Sequence, residues 1–339
     1  MSVRYLARQS LQAILTIVVI VLLNFVLFRM MPGSPDRVNP RNPHITAEQR
    51  EAAKARWGLD DPLFPVGNSL DPPAVTVAPE NQLFAYIAAT LRGDLGYSMK
   101  YQGQAVVQVI GDRFWPTILL IGLAEVIAIF VGLLLGAYTG WRRGGITDRV
   151  GNGASLILYS MPYFVIGMPL IIIFAAGLGW FPTSGMLTPG ASYSGPLDFL
   201  ADLLSHLILP LATISLGLIG GYSILMRSSV TETRAEDYIA TARAKGLSDR
   251  KILRSHAIPN ALLPAVTLIA INLGYVVGGA ITAEIVFNWP GLGTLTVDAL
   301  NSRDYPVLQG IFLFLGISVV IANLGADIIY GYLDPRVRR

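Results

Sequence analysis

The chain has 339 residues, 53% hydrophobic and only 14% charged, with a formal net charge of +3. An average soluble domain carries roughly 25% charged residues, so this chain cannot cover a water-facing surface. A disordered chain, a coiled coil and an ordinary cytosolic enzyme are excluded at once, and the absence of cysteine removes disulfide frameworks, thiolate metal sites and cysteine nucleophiles.

In chain order, six apolar runs are long enough to cross the roughly 30 Å hydrocarbon layer, which needs about 20 helical residues. They cover residues 11–31, 118–138, 156–178, 207–226, 261–287 and 308–333. Helix is the form expected, because each backbone group in lipid must find its partner within its own segment. The reading is an all-α polytopic membrane protein of six transmembrane helices. Residues 1–31 hold the amino terminus and first span, 32–115 an external region, and 116–339 the remaining five spans. A cytoplasmic loop at 227–260 joins the fourth and fifth spans.

Charge sets the orientation. With both termini cytoplasmic, 15 of the 25 basic residues fall on the inner side, seven of them between Arg227 and Arg254. The short outer loop 179–205 has no Lys or Arg, as the positive-inside rule expects. Within the external region, Thr46 with Gln49 predicts a capped helix ending at Gly58. Residues 62–79 hold five prolines and read as an irregular connector. Val106, Val107, Ile110 and Phe114 form an apolar helical face, expected to lie on the outer membrane surface.

Several chemistries are absent. None of the four lysines, Lys54, Lys100, Lys245 and Lys251, follows a glycine, so no phosphate-cradling G-x-x-x-x-G-K-[ST] loop exists. The three histidines, His44, His206 and His256, have a spacing that suits no metal site. His206 sits at the outer mouth of span four and His256 in the cytoplasmic loop, which disfavours an intramembrane serine hydrolase. No catalytic, metal or cofactor site is expected.

The loop 227–260 reads as a basic elbow. Residues 235–245 and 248–256 predict two short helices broken at Gly246, where glycine permits the left-handed conformation. Ser248 is placed to cap the second helix, and Pro259 is expected to stop it before span five. A rigid basic elbow standing off the membrane suits docking into a groove of a cytoplasmic partner; a solvated loop that only sets topology is the alternative.

The residue order of that elbow, EDYIATARAKGLSDRKILRSHAIPNALLP from Glu236 to Pro264, resembles the cytoplasmic loop of binding-protein-dependent ABC importer permeases. The general pattern E-A-A, three residues, G, nine residues, I-x-L-P meets Ala240, Thr241 and Ala242, then Gly246, then His256, Ile258 and Pro259; the leading Glu is absent. The string Asp237–Leu247 is closer to the oligopeptide/dipeptide class, whose version is D-Y-x-x-T-A-R-A-K-G-L, and the chain looks like its B-type membrane subunit. Further strings similar to that family are PGSP at 32–35, WGLDDP at 57–62, RGDLGYS at 92–98, SMPYF at 160–164 and HLILP at 206–210. AEIVFNWPGLG at 283–293, RDYPVLQG at 303–310 and LDPRVRR at 333–339 complete the order. The proline-rich stretch 64–81 departs from it and looks like an insertion.

The resemblance implies the type I importer fold. It also implies a heterodimer with a related C-type permease, two cytoplasmic ABC ATPase subunits carrying ATP and Mg, and an external substrate-binding protein. This chain would bind no cofactor and contact no nucleic acid, and would reside in a bacterial or archaeal cytoplasmic membrane. Ala242, Gly246, Leu247 and Ile252 are then expected to pack in an ATPase cleft, with Arg243 and Lys245 making polar contact and Pro259 closing the elbow. The implied cargo is peptide, while related systems carry nickel chelates, glutathione or oligosaccharides.

Three carboxylates fall within spans, where charge is expensive and usually functional: Glu125, Glu284 and Asp327. They are candidates for the translocation path or its gating. A proton relay through Glu125 and Asp327, in a secondary carrier, is a rival reading; pairing with Asn24, Asn272 or Asn323 is the structural one. Gly132, Gly136 and Gly140, like Gly274 and Gly278, have the spacing of close helix packing. Pro162 and Pro169 mark either a hinge or a static kink in span three.

Overall fold

The computed structural model describes residues 3–30, 81–101, 103–276 and 280–333. Among these the regular structure is helical, with an isolated antiparallel bridge between Tyr97 and Ala105. Helix α1 is Val3–Met30, α2 Gln82–Leu91 and α3 Val106–Trp141; α4 is Ile146–Ser160 and α5 Tyr163–Leu170, prolonged by a π-helical turn Ile171–Gly177. Helix α6 is Pro196–Thr233, α7 Asp237–Ala244 and α8 Asp249–Ile252, followed by a π turn Leu253–Ala257 that runs into α9, Ile258–Val276. Short α10, Ile281–Val286, and α11, Leu292–Ser302, precede α12, Tyr305–Leu333. Five helices are long and apolar enough to cross a membrane, six when α4 and α5 with its π turn count as one bent span.

Three expectations change. The run 156–178 is not a straight span, because its two helical parts are bent by 102° at Met161–Pro162. Met161 is extended and Pro162 opens α5, where its missing N–H costs nothing. The run 261–287 is not one helix either: α9 ends at Val276 and Glu284 rides on the separate α10. Ala280, just before α10, is not helical, with φ −102° and ψ 75°. Third, Val106–Phe114 is not a separate surface helix. It forms the first turns of the 36-residue α3, with Val106 and Ile110 buried. The helix predicted from Thr46, the connector 62–79 and the strings at 32–35 and 57–62 lie outside the described residues. So do Gly278 and most of the stretches 64–81 and 333–339; Asn81 is described and caps α2 by accepting from the Phe84 N–H.

The chain forms two compact units. One holds Met1–Ser10, Arg113–Thr294 and Ser318–Arg339; the other holds Leu11–Asp112 and Leu295–Ile317. The first is organised on α6. A Cβ at Gly132 would lie 2.6 Å from Tyr222 Cβ, one at Gly140 would lie 2.7 Å from the Arg227 carbonyl oxygen, and one at Gly136 would collide with the Ser223 carbonyl. The glycine spacing in α3 is therefore a packing groove for α6. On the α4–α5 side the relation is reversed, with α6 supplying the glycines. Tyr163 fills the space over Gly217, Tyr159 covers Gly220 and Gly221, and Ser155 donates to Ser223 at 2.9 Å. Tyrosines on both sides of the 102° bend, Tyr159 and Tyr163, are seated in this way against α6.

In the second unit, Asn24 of α1 donates to the Gln309 carbonyl at 3.2 Å and accepts from the Tyr86 hydroxyl at 3.1 Å, tying α1, α2 and α12 together. Ser98 donates to the buried carboxylate of Asp304 at 2.5 Å, and the Lys100 N–H reaches the same oxygen at 3.0 Å. A Cβ at Gly310 would lie 2.5 Å from Val106 Cγ1, which explains why Val106 is inside.

The α3–α6 groove predicts that Gly136→Val destabilises the protein by about 1–3 kcal/mol through overpacking. Gly153→Ala, where an added Cβ meets nothing within 4 Å, should be neutral or stabilising by up to about 1 kcal/mol. Thermal unfolding of the purified protein in detergent measures both; equal unfolding temperatures for the two variants would contradict the packing assignment.

Candidate functional site

The elbow is built by a helix ending that glycine makes possible. Gly246 has φ +75°, its N–H bonds to the Arg243 carbonyl at 2.9 Å, and the Leu247 N–H reaches back to the Ala242 carbonyl at 3.3 Å. That pair of bonds is a Schellman ending, completed by Leu247 packing with Ala242 in one apolar cluster. The chain then turns into α8, whose first carbonyl acceptor is Ser248, bonded by the N–H groups of Lys251 and Ile252. Ser248 occupies the cap position without a side-chain cap bond, so the expected hydroxyl cap is replaced by backbone bonding.

The elbow has its own core of Ile239, Ala242, Ile252 and Ala257, against which Trp141, Leu247 and Leu253 pack. Ala242 and Ile252, expected from the resemblance to pack in an ATPase cleft, here turn inward to this core. Both are buried, Ile252 completely, because Ala242 lies one turn from Ile239 on the same face and Ile252 packs opposite them. Arg243, Lys245 and Gly246 are exposed and Leu247 half-buried. Arg243 also approaches Asp249 at 4.0 Å across the turn. Pro259 is exposed at the second position of α9 and stops nothing. The π turn before it absorbs the proline: the Ile258 N–H bonds to the Leu253 carbonyl five residues back, so the helix is already widened where Pro259 lacks a donor.

The three intramembrane carboxylates are not brought into one site. Glu125 on α3 is 2% exposed and accepts a short hydrogen bond from the Tyr222 hydroxyl on α6. Asn272 on α9 donates to that hydroxyl at 2.9 Å, which joins three helices. The asparagine expected beside this carboxylate is thus present, but the tyrosine between them carries no signal in the sequence. Glu284 is completely buried; it accepts from Thr117 Oγ1 at 2.9 Å and from the Thr294 N–H at 3.0 Å. Thr117 in turn accepts from the Leu292 N–H at 2.7 Å, and Trp289 Nε1 donates to the Pro116 carbonyl at 2.9 Å. A Cβ at Gly291 would run into the Glu284 carboxylate. The WPGLG segment is therefore wrapped around this side chain, which anchors the start of α11 to α3. Asp327 is exposed on α12.

Sequence reasoning missed an ion pair that joins α6 to α4. Arg227 Nε meets Asp148 Oδ1 at 2.5 Å and Nη2 meets Oδ2 at 2.9 Å, while the Gly144 N–H donates to Oδ2 at 2.9 Å. Arg227 reads from sequence only as a topology charge, and 79 residues separate the partners. At the other end of α6, Asp202 accepts from the Thr188 N–H at 2.8 Å, from Thr188 Oγ1 at 2.7 Å and from the Tyr193 hydroxyl at 2.7 Å, folding the loop before α6 onto its start. The hydrogen bond to Asp202 raises the Tyr193 phenol above its usual range.

Residues 128–339 match the family described as binding-protein-dependent transport system inner membrane component. A Brucella suis protein named as a peptide permease is 36% identical over 337 residues, covering 99% of each chain. A Sinorhizobium fredii protein named as a peptide ABC transporter permease is 35% identical over 334 residues, 98% of this chain and 99% of its own. The glutathione transport system permease of Escherichia coli K12 is 33% identical over 334 residues, 98% of each chain. Among solved structures, the inward-facing MetNI methionine ABC transporter has the same fold. The match has a TM-score of 0.54 at 18% identity, over 67% of this chain and 97% of that chain. The elbow, the broken spans and these matches define a multi-pass membrane subunit of an ABC importer. The chain belongs to the family of binding-protein-dependent transport system inner membrane components.

The Glu284 network yields a graded expectation. Glu284→Ala leaves Thr117 Oγ1 and the Thr294 N–H without their buried acceptor, a cost of about 1–3 kcal/mol for each unsatisfied group. Glu284→Gln keeps one acceptor oxygen and should lose less than half as much. Thermal unfolding in detergent ranks the two; an alanine variant as stable as the wild type would remove the anchoring role.

Proposed function

We propose that the chain is one half of the translocation path of a peptide importer, paired with a C-type permease and served by two ABC ATPase subunits and an external substrate-binding protein. ATP and Mg belong to the ATPase subunits. Peptide is the cargo class that the Brucella and Sinorhizobium names carry, and the glutathione of the Escherichia coli relative is itself a tripeptide. The observation that carries the coupling role is the elbow. Ile239, Ala242, Ile252 and Ala257 are consumed internally, whereas Arg243, Lys245 and the Gly246 turn remain on its surface, beside the half-exposed Tyr238. A rigid, outwardly basic projection transmits displacement from a bound partner to the helices on either side, α6 and α9. Both termini and the elbow lie on the cytoplasmic side in this reading, supported by the clustering of basic residues there.

The orientation is directly testable because the chain has no cysteine. Ser248→Cys should react with a membrane-impermeant maleimide in inside-out vesicles only, and Ser192→Cys, in the outer loop, in right-side-out vesicles only; the reverse pattern overturns the topology. For coupling, Gly246→Val has open space around it, with nothing within 4 Å of an added Cβ. Its cost is conformational, about 1–2 kcal/mol for a left-handed non-glycine residue. Receptor-stimulated ATP hydrolysis by the reconstituted complex should fall while the variant still inserts and folds. Wild-type stimulation would refute the elbow's role. Substrate class is decided by the ligand that co-purifies with the receptor and stimulates hydrolysis: peptides support the proposal, and a nickel chelate or oligosaccharide overturns it.

A further inference from the structure

Between the elbow and the membrane core stand two side chains that pack against both apolar clusters, Leu253 of the elbow's own π turn and, from α3, one that the sequence did not mark. Trp141, the last residue of α3, packs against two separate apolar clusters. One is the elbow's own core of Ile239, Ala242, Ile252 and Ala257. The other is the cluster Ala137, Met226, Val230 and Ala261, contributed by α3, α6 and α9. Two cations also address the indole: the Arg243 guanidinium at 5.6 Å and that of Arg234 at 5.8 Å from the ring centroid, both within cation–π reach. Arg234 Nη1 donates to the Trp141 carbonyl at 2.8 Å as well, fixing the backbone there.

The elbow is joined covalently to α6 at one end and, through the π turn, to α9 at the other. It has no covalent continuity with α3, the helix that carries Glu125 and the glycine groove. Trp141 supplies that missing connection. Its ring is shared by the two cores, and the cation on one of its contacts, Arg243, sits on the elbow's exposed surface. A force applied to the elbow therefore reaches α3 through the indole.

We propose that Trp141 is a positioning residue for energy coupling, linking the elbow to α3 by an indole held between two apolar cores and two arginines. The inference rests on the elbow being the ATPase contact. Only a planar aromatic ring fills both roles: an aliphatic side chain restores the apolar contact but offers no face to the arginines.

The test uses the whole complex, both permeases with their ATPase subunits, in proteoliposomes with the receptor and a defined tripeptide mixture. The variants are Trp141→Leu, Trp141→Phe and Arg234→Gln. Expected for Trp141→Leu are wild-type co-purification of the ATPase subunits, unchanged hydrolysis without receptor, and peptide uptake per ATP lowered by roughly fivefold or more. Trp141→Phe, which keeps a ring face, should recover most of that ratio. A merely structural role would lower uptake and hydrolysis together and leave their ratio unchanged, and that result overturns the proposal. If Trp141→Leu does not assemble, Arg234→Gln decides, since it removes both the cation over the indole and the hydrogen bond to the Trp141 carbonyl without touching either core; a lowered ratio supports the link and a wild-type ratio rejects it. Failure of the underlying reading looks different, because Gly246→Val would then also leave stimulation intact.

Discussion

Close backbone approach along α6 is the constraint on which the rest depends. In lipid, apolar helices gain nothing from leaving the solvent for one another, so association must come from packing at short range and from polar bonds across the contact. Gly132, Gly136 and Gly140 remove the side-chain thickness of α3, and Gly217, Gly220 and Gly221 remove that of α6 on its other contact. The consequences are geometric. The approach at Gly132 brings Tyr222 alongside, with its hydroxyl on Glu125 two turns earlier. The approach at Gly140 fixes the Arg227 backbone, from which the guanidinium reaches Asp148. Neither polar pair would form with the helices one side chain further apart.

Buried polar groups act as fasteners in both units. Glu284 organises the WPGLG turn and the start of α11, while Asp304, completely buried, accepts from Ser98 and the Lys100 N–H. Groups so costly to bury persist where several donors meet them. Glu284 and Glu125 thus serve the architecture of this conformation, each with its own partners. The elbow is stabilised differently, by a small apolar core and a glycine ending. It therefore keeps its shape as it projects from the spans.

Much of this was legible from residue order. Apolar runs located the first, second, fourth and sixth spans, because hydropathy reports burial in lipid directly, but α3 and α6 begin about three turns before the runs that marked them, at Val106 and Pro196. It does not report helix continuity, so the bend at Met161–Pro162 and the end of α9 at Val276 were hidden inside apolar runs. The elbow's break at Gly246 was readable because a positive φ leaves a glycine in the sequence. The inward turn of Ala242 and Ile252 was not. A short helix with one apolar side does not say whether that side meets a partner or its own neighbour.

By itself, the sequence determined the membrane class, the clustering of basic residues around the elbow, the glycine groove and, through the order of its strings, the family. These are properties of composition and local spacing, which survive without knowledge of what packs where. Tertiary structure alone decided that Glu125 meets Tyr222, that Asp148 meets Arg227 across 79 positions, and that Trp141 bridges two cores. Those contacts join helices far apart in the chain. Their side chains carry no local signature, since a tryptophan at a helix end or an arginine near one is ordinary until folding supplies its neighbour.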